Sequence, residues 1–324
     1  GRSIIKARVD YTRQAAYTRL SGFSYNFGAG ATGGEQATEG APSGVGTLTE
    51  TQPSFNQHWR RLNARLSHTY SGDIWRFDWT ASHSEGGFKN RDLEDNMFGG
   101  FNTIRSNLVL SGQNLAGIEA IKIPQLSATT RDGAAVNPYD VTQYSLNTAT
   151  SGRSFSENIV NSFSANVGRS FDAAIPIAIK VGVSVEKTSA NYWTESRSWN
   201  VRPPESAGGQ LVGNYDFIAR DYTARRGSIG GANFNWLSSS KLFELYQQHP
   251  EYFQLNEPAA YTGRVNTSKK LEETISAAYL RTDIKALENR LWLVAGVRFE
   301  RTEDEGFGPL NDIRKTYATD ANGN

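Results

Sequence analysis

The chain has 324 residues, of which 38% are hydrophobic and 21% are charged, and its mean hydropathy is −0.53. Its 34 basic and 33 acidic residues are mixed along the chain without a basic stripe, which excludes nucleic acid as the expected partner. There are no cysteines, so disulfides, thiolate catalysis and cysteine-bound zinc are excluded. No run reaches the ~18 apolar residues of a membrane-spanning helix, whereas a barrel strand needs only about 9–11 residues with alternate ones apolar.

The first 57 residues combine one weak strand pair with a glycine-rich loop. Alternation between Ile5 and Phe27 predicts a hairpin that turns near 13–15, and a long loop is predicted over 28–57. Within this loop, Gly28-Ala-Gly-Ala-Thr-Gly33 matches the glycine spacing of dinucleotide-binding loops. That chemistry needs a helix directly after the glycines, and the residues that follow are typical of a loop. A flexible outer loop is therefore the favoured interpretation.

The clearest pattern runs from His58 to His83 and predicts a β-hairpin. Apolar residues alternate with polar ones from Leu62 to Tyr70 and again from Trp75 to Ala81, on either side of Ser71-Gly-Asp73. One face of this hairpin is apolar and aromatic, and the other carries Arg, Asp and Asn. In a soluble sandwich the apolar face would be core, whereas in an outer-membrane barrel it would face lipid with aromatic residues at the membrane boundary.

Residues 85–155 predict two long loops, 85–102 and 129–155, around a weaker strand pair. The pair lies between Ile104 and Ala128 and turns near 112–114. The carboxylates Asp92, Glu94 and Asp95 match the ligand type of a calcium site but not the spacing of a calcium loop, so a solvated surface is favoured. The four histidines share no metal-ligand spacing either, and we expect no metal site.

A second hairpin is predicted around 170–175, and its second strand alternates cleanly. Ile179, Val181 and Val183 lie on one face, with Lys180 and Glu186 on the other. The longest insertion follows at 191–270. Within it, Lys241 to His249 has helical spacing and Pro250 ends it. Ser238-Ser-Ser-Lys241 matches an S-x-x-K spacing, but the companion motifs of serine acylating enzymes are missing. These residues more simply begin the helix.

The insertion at 191–270 is also predicted to be an ordered extracellular element that contacts ligand. It is dense in Trp, Tyr and Arg, which are enriched where protein surfaces bind tightly. The residues that we expect to contact a solute or a partner are Trp193, Trp199, Arg225, Arg226 and Trp236.

A third hairpin is predicted from Glu273 to Glu300 around 286–290, although the phase of its first strand near Ala278 and Tyr279 is ambiguous. The connections alternate in length along the whole chain. Short turns are predicted near 13–15, 71–73, 112–114, 170–175 and 286–290, and long loops at 28–57, 85–102, 129–155, 191–270 and from 303 onward. Short turns at one end and long loops at the other are typical of an outer-membrane barrel with extracellular loops.

The alternation assigns two opposite faces. The residues expected to point to lipid are Leu62, Leu66, Phe77, Trp79, Ile179, Val181, Val183, Leu293 and Val297. The residues expected to line the lumen are Arg61, Arg65, Arg76, Asp78, Lys180, Glu186, Arg298 and Glu300. The alternative is that the charged set lies on the solvated face of a soluble sheet. The lumen is favoured because the opposite faces are too uniformly apolar to meet water.

Several segments resemble the barrel of TonB-dependent receptors. They are Glu273 to Leu280, Leu291 to Glu300, Asn137-Pro-Tyr-Asp140, and the block from Lys241 to Phe253. The resemblance implies an all-β fold, an antiparallel transmembrane β-barrel. It implies that residues 1–324 form a portion of a single barrel domain and supply about ten of the roughly 22 strands in such transporters. It also implies long extracellular loops, one short loop helix, and a plug domain and further strands that belong to the same polypeptide but are not recognisable in this sequence.

The function that this resemblance implies is uptake of a scarce solute, such as a metal chelate, vitamin, glycan or peptide, across the outer membrane of a Gram-negative bacterium. Its partners would be outer-membrane lipid, the small solute or glycan, and a TonB-type energy-coupling complex that acts through the plug. No enzymatic activity and no cofactor are expected. The alternatives are an outer-membrane porin or structural surface barrel, a soluble carbohydrate-binding β-sandwich, and a β-rich hydrolase.

Overall fold

The computed structural model describes residues 1–34, 36–115, 125–172, 174–226, 228–229, 232–288 and 290–310, without the side chains of 225, 226, 228, 229 and 232. In chain order the strands are β1 (Arg2–Arg19), β2 (Gly22–Asn26), β3 (Thr32–Gly33), β4 (Ala37–Glu39), β5 (Gly46–Thr51), β6 (Ser54–Ser71), β7 (Trp75–Asn90), β8 (Gly100–Gln113), β9 (Gln125–Thr130), β10 (Ala135–Val136), β11 (Ser145–Phe171), β12 (Ile177–Val201), β13 (Ser228–Ile229), β14 (Ala232–Asn233), β15 (Phe253–Leu255), β16 (Lys269–Ala286) and β17 (Leu291–Phe307). The α-helices are α1 (Arg220–Arg226), α2 (Ser239–Gln248) and α3 (Glu257–Thr267), and single 3-10 turns span Leu93–Asp95, Val141–Gln143, Glu205–Ala207, Val212–Asn214 and Pro250–Tyr252.

Seven long antiparallel strands form a curled sheet, here called the wall, in the order β1-β6-β7-β11-β12-β16-β17. Three short turns, 72–74, 172–176 and 287–290, join neighbouring wall strands at one end. All the longer connections lie at the other end. Among the described residues β1 pairs only with β6 and β17 only with β16, so the first and last wall strands do not pair.

The three strong hairpins are confirmed, whereas the first weak one is wrong. No turn forms at 13–15, because β1 continues through these residues and pairs with Arg60, Trp59 and His58 of β6. A partner strand of equal length satisfies the backbone groups there, and the segment holds no glycine or proline to favour a turn. The wall also has fewer strands than the roughly ten expected from sequence.

The pair predicted between Ile104 and Ala128 forms, but outside the wall. Residues 108–113 of β8 pair with 125–130 of β9, and the connection runs past the expected turn at 112–114 into 116–124, which lies outside the described residues. The other hydrogen-bonded neighbours of β8 are β4, β5 and only the first residues of β11. These strands therefore belong to the long connections.

The described residues of the long connections fold together into one cluster, here called the cap. It is built from the described parts of 20–53, 91–144 and 202–268 and from the upper ends of β11 and β12. Its hydrophobic core contains Leu48, Phe98, Phe101, Leu108, Leu110, Ala128, Val141, Tyr144, Leu146, Ala149, Trp199, Val201, Val212, Phe217, Phe234, Trp236, Leu237, Leu242, Phe243 and Phe253. The loops are therefore shorter than the sequence predicted, because β6, β7, β11 and β12 extend into them. The described residues of these loops that lie outside the strands contribute to the cap core. The segment 191–270 in particular begins as strand and shares its core with the other connections, so it is not a separate element.

Helix α2 confirms the helix predicted over 241–249. Ser238 caps it, with its hydroxyl oxygen accepting from the Lys241 amide at 3.4 Å, and Leu242 and Phe243 bury one face in the cap. Helices α1 and α3 were not predicted. The signal for α3 was present, since Asn256 accepts from the Ala259 amide at 3.2 Å and Pro258 lies in the first turn.

The register divides the wall into two faces as the alternation predicted. Directly opposed residues of an antiparallel pair share a face, and one such row runs through Val167, Val181, Leu280 and Val297. The next residue along each strand lies on the other face. This resolves the ambiguous phase, because Ala278 lies with Val183 on the apolar face and Tyr279 on the polar face.

The apolar face is not covered by any described part of the protein over the lower wall. Val297 is 67% exposed and Phe299 is 71% exposed, whereas the cap residues Leu48 and Leu242 are fully buried. The whole chain exposes 20212 Å². A compact monomer of this size would expose only about 13,000 Å². An open single-layered sheet with both faces accessible contributes to this excess.

None of the helices in the described ranges has the length and apolar character needed to cross a membrane.

We predict that Phe98→Ala destabilises the cap by about 3–5 kcal/mol, because it removes a fully buried aromatic ring. Phe98 packs against Trp199, Phe243, Tyr246 and Phe253, with ring centroids 5.4 to 5.6 Å away. Denaturant unfolding monitored by near-ultraviolet circular dichroism would measure the loss.

The matched control is Tyr261→Ala on α3, where the ring is 67% exposed and the loss of stability should stay within about 0.5 kcal/mol. Equal effects of the two variants would contradict a common cap core.

Candidate functional site

The polar face of the wall is the candidate functional surface. All eight residues predicted to line a lumen lie on it, at positions fixed by the register: Arg61, Arg65, Arg76, Asp78, Lys180, Glu186, Arg298 and Glu300. The structure therefore brings the predicted set to one surface. Whether this surface lines a lumen remains a prediction.

Hydrogen bonds across strands organise part of this face. The Asp78 carboxylate accepts from Asn166 Nδ2 at 2.6 Å, and Asn166 Oδ1 accepts from the Tyr279 hydroxyl at 2.7 Å. Gly182 lies between these groups, and a side chain there would clash with both Asn166 and Tyr279. The glycine thus allows three wall strands to share one hydrogen-bonded chain.

Positive charge accumulates on the polar face of the first wall strands. Arg8 lies directly opposite Arg65, and Lys6 lies one polar-face position below Arg8. Arg8 is paired with Asp10 at 2.6 Å, which leaves Arg65 without a carboxylate partner among the described residues. Together with Asp78 these residues line a depression of about 540 Å³. Like charges directly opposed are unfavourable, so this surface suits an anionic group.

The predicted contact residues of the insertion are separated by the structure. Trp199 is 3% and Trp236 is 6% exposed, so both pack in the cap core rather than meeting a solute. The density of aromatic residues that suggested a binding surface here reflects the hydrophobic core of the cap instead. Trp193 stacks on Phe155 with ring centroids 6.0 Å apart and lies beneath the Arg153 guanidinium. The side chains of the other two predicted residues, Arg225 and Arg226, lie outside the described structure.

The acidic group at 92–95 serves to attach its loop. Buried Asp92 accepts from Ser151 Oγ at 2.9 Å and from the Gly152 amide at 2.7 Å. Asp95 accepts from Asn56 Nδ2 at 2.6 Å, and Glu94 pairs with Arg91 and Arg153. Protein donors thus satisfy all three carboxylates. No group of three His, Asp or Glu residues that could hold a metal ion occurs in the described ranges.

The two weak motifs have structural roles. Gly28 and Gly30 adopt positive φ values of 79° in the turn after β2, and no helix follows them. The S-x-x-K segment begins α2, and its Lys241 Nζ pairs with Asp216 at 2.7 Å.

Glu50 is a buried carboxyl group that sequence reasoning missed. It lies fully buried on β5, where it accepts hydrogen bonds from Gln52 Nε2 and, at 3.3 Å, from Thr103 Oγ1. Burial raises the pKa of Glu50 to about 7, although hydrogen bonds from Gln52, the Leu237 amide and Thr103 and the charge of Arg19 lower it. No local motif marks this residue, because its surroundings come from distant segments.

Arg19 connects the Glu50 cluster to the wall. It is the last residue of β1, and its guanidinium donates to Gln52 Oε1 at 3.2 Å and to the Leu237 carbonyl. It also lies 4.6 Å from the centre of the Tyr222 ring. The end of a wall strand, β5 and the segment before α2 are thus held together by one partly buried polar network.

Comparison with known protein families, with curated proteins and with solved structures finds no match to this chain.

We predict that cap stability falls as pH rises from about 5 to about 8. A carboxyl whose pKa is raised on folding stabilises the fold fully below its unfolded pKa and loses that contribution as pH rises through about 7. The loss is on the order of 3 kcal/mol. Glu50→Gln keeps the shape but cannot titrate, so its stability relative to wild type should increase with pH.

Hydrogen exchange of cap amides at pH 5 and pH 8 would measure this difference. The matched control is Glu244→Gln on the exposed side of α2, which should follow wild type at both pH values. An unchanged pH dependence in Glu50→Gln would show that Glu50 is not responsible.

Proposed function

We propose that this chain forms part of the wall of an outer-membrane transporter of the TonB-dependent receptor type, which takes up a scarce solute. The observation that carries the proposal is the uncovered apolar face of the wall. Its residues form one band, bounded by charged residues toward the cap and by the short turns at the other end, with Arg169 as a charged residue beside the lower turn. Lipid is the occupant that such a band fits.

The upper border of the band runs obliquely across the strands. On each wall strand, the border is marked by the first charged residue of the apolar face on the cap side of the band. In the order of the wall strands these residues are Arg13, Arg60, Glu85, Glu157, Lys187, Glu272 and Arg301. Arg13 of β1 lies directly opposite Arg60 of β6. Following directly opposed residues from strand to strand across the wall, Arg301 of β17 falls in the same row as Ala7 of β1. From β1 to β17 the border therefore descends by six residues over six strand steps, a mean of about one residue per strand.

The lower border descends in the same direction. Arg281 of the third hairpin falls in the same row of directly opposed residues as Ser71 of the first hairpin. The strand of Arg281 continues for five more residues, to Ala286, before the third hairpin turns. Both borders thus cross the strands at a similar slope. A strand rises about 3.4 Å per residue, and neighbouring strands lie about 4.8 Å apart. A border that descends by one residue per strand therefore corresponds to strands tilted by about 35° from the normal to the band.

This tilt and the width of the band both match a membrane barrel. Strands of outer-membrane barrels tilt by about 35–45° around an apolar band about 25 Å tall. The apolar residues of β17 extend from Leu291 to Phe299. Nine residues at that tilt span about 25 Å along the membrane normal. A soluble sheet has no reason to keep an apolar band at an angle to its own strands.

The soluble sandwich is less well supported. A sandwich buries the apolar face of one sheet against a second sheet, and the described residues contain only the two-stranded β13-β14 ribbon besides the main sheet. The cap packs only on the upper ends of the wall strands. The free edges of β1 and β17 would each be satisfied by further strands of the same wall, since unpaired backbone is costly in lipid.

Transport rather than passive support is favoured by the polar face and the cap. A charged, hydrogen-bonded inner surface suits a water-filled or plugged lumen. An ordered cap with its own core suits capture of a solute outside the cell, and a TonB-type complex acting through a plug would supply energy. A porin is the second candidate, because its wall would have the same two faces.

We predict that Val181→Arg weakens insertion into lipid by about 2–4 kcal/mol, because Val181 lies at the middle of the band on β12. Equilibrium folding into phospholipid vesicles would measure the effect. The matched control is Ser184→Arg on the polar face of the same strand, which should insert like wild type. Equal insertion of both variants would contradict a lipid-facing surface.

A second measurement separates transporter from porin. The intact protein in liposomes should not let small neutral sugars equilibrate, because a gated transporter stays closed without its energy-coupling complex. Rapid liposome swelling in arabinose would favour the porin instead.

A further inference from the structure

An aromatic niche interrupts the polar face near its upper end. Trp59 of β6 lies directly opposite Phe88 of β7, with ring centroids 5.5 Å apart, and both rings remain partly exposed. They border a depression of about 390 Å³, which is of the size of small-ligand sites. The niche is completed by Thr12, Gln14, Arg61, Gly86, Ser156 and Asn158.

Gly86 creates the space in this niche. It lies between Arg61 and Asn158 in one row of the register, and a Cβ atom built on it would meet nothing within 4 Å. Glycine inside a strand weakens the strand and often marks a place where a ligand or another backbone approaches closely. Here no neighbouring side chain or backbone requires the glycine, so the gap is open to an incoming group.

The polar groups around the gap have unused hydrogen-bonding capacity. Gln14, Ser156 and Asn158 make no side-chain hydrogen bonds with the described part of the protein, and Arg61 has no carboxylate partner there. Amide and hydroxyl side chains supply both donors and acceptors. These polar side chains surround the Trp59 and Phe88 rings on the same surface. Exposed aromatic rings next to free amides and hydroxyls stand out on a face otherwise dominated by charged and small polar residues.

We propose that this niche is a subsite for a sugar ring of an oligosaccharide. A pyranose presents C–H groups on its faces, which pack on an aromatic ring, and hydroxyl groups around its edge, which bond to amides and hydroxyls. Trp59 and Phe88 supply the first kind of contact, and Gln14 and Asn158 the second. The inference rests on the proposed function, because it names the class of solute that the wall would guide.

A flat aromatic ligand fits the niche less well. It would stack on Trp59 and Phe88 but would form no hydrogen bonds with the exposed amides of Gln14 and Asn158, which would keep their bonds to water. A sugar ring satisfies both the platform and the amides. The positive charge of Arg61 further allows an acidic sugar at the same subsite.

The test is isothermal titration calorimetry of the intact protein in detergent with cellotetraose, maltotetraose, xylotetraose and chitotetraose. We expect at least one of them to bind. Gly86→Val fills the gap without a clash and favours the strand, so it should weaken that binding at least tenfold. Trp59→Ala should weaken it by a similar factor by removing the platform.

The matched control is Gly152→Val, a second strand glycine whose Cβ would also meet nothing within 4 Å but which lies outside the niche. It should bind like wild type. Failure of all four sugars, or Gly86→Val binding as tightly as wild type, would overturn the saccharide subsite. Neither result affects the membrane wall, which the Val181 and Ser184 variants test separately.

Discussion

Continuous backbone pairing in one unbroken register is the constraint on which the wall depends. The six pairings between neighbouring wall strands show no bulge or shift in the described residues. Side chains alternate strictly along a strand, so a slip by one residue would move every apolar group to the polar face. Because no slip occurs, Val181 and Val297 share one face with Leu66, while Lys180 and Arg298 share the other with Arg65. The apolar and the charged side chains are thereby assigned to opposite sides of a single layer.

The molecule is stabilised in two different ways. The cap buries its aliphatic and aromatic side chains like an ordinary soluble domain, whereas the lower wall has no second layer and leaves its apolar side chains exposed. Arg19 and Glu50 lie where these two parts meet, so a protonation change at one buried carboxyl acts on the attachment of the cap to a wall strand. The cap would be stable through its own core, and the wall through its hydrogen bonds and the bilayer.

The candidate surface was largely predictable, but its most specific features were not. Period-2 alternation was enough to place Arg61, Asp78 and Glu300 on the polar face, since strand periodicity depends only on local geometry. The niche was missed because Phe88 fell within a predicted loop, and its pairing with Trp59 requires strands longer than the alternation indicated. Trp199 and Trp236 were expected at a binding surface and are core instead, because aromatic residues are enriched in both places and only burial separates them.

The sequence by itself determined the mostly antiparallel β character, the three tight hairpins, the helix near 241–249 and the two faces of the wall. Each of these follows from side chains close together in the chain. Only the tertiary structure decided that the long connections share one core, that Glu50 is buried and that the apolar band crosses the strands obliquely. The reason is physical. Leu48 and Leu242 join one core, and the positions of Arg13 and Arg301 along the wall can be compared, only after distant strands have paired and fixed a common register.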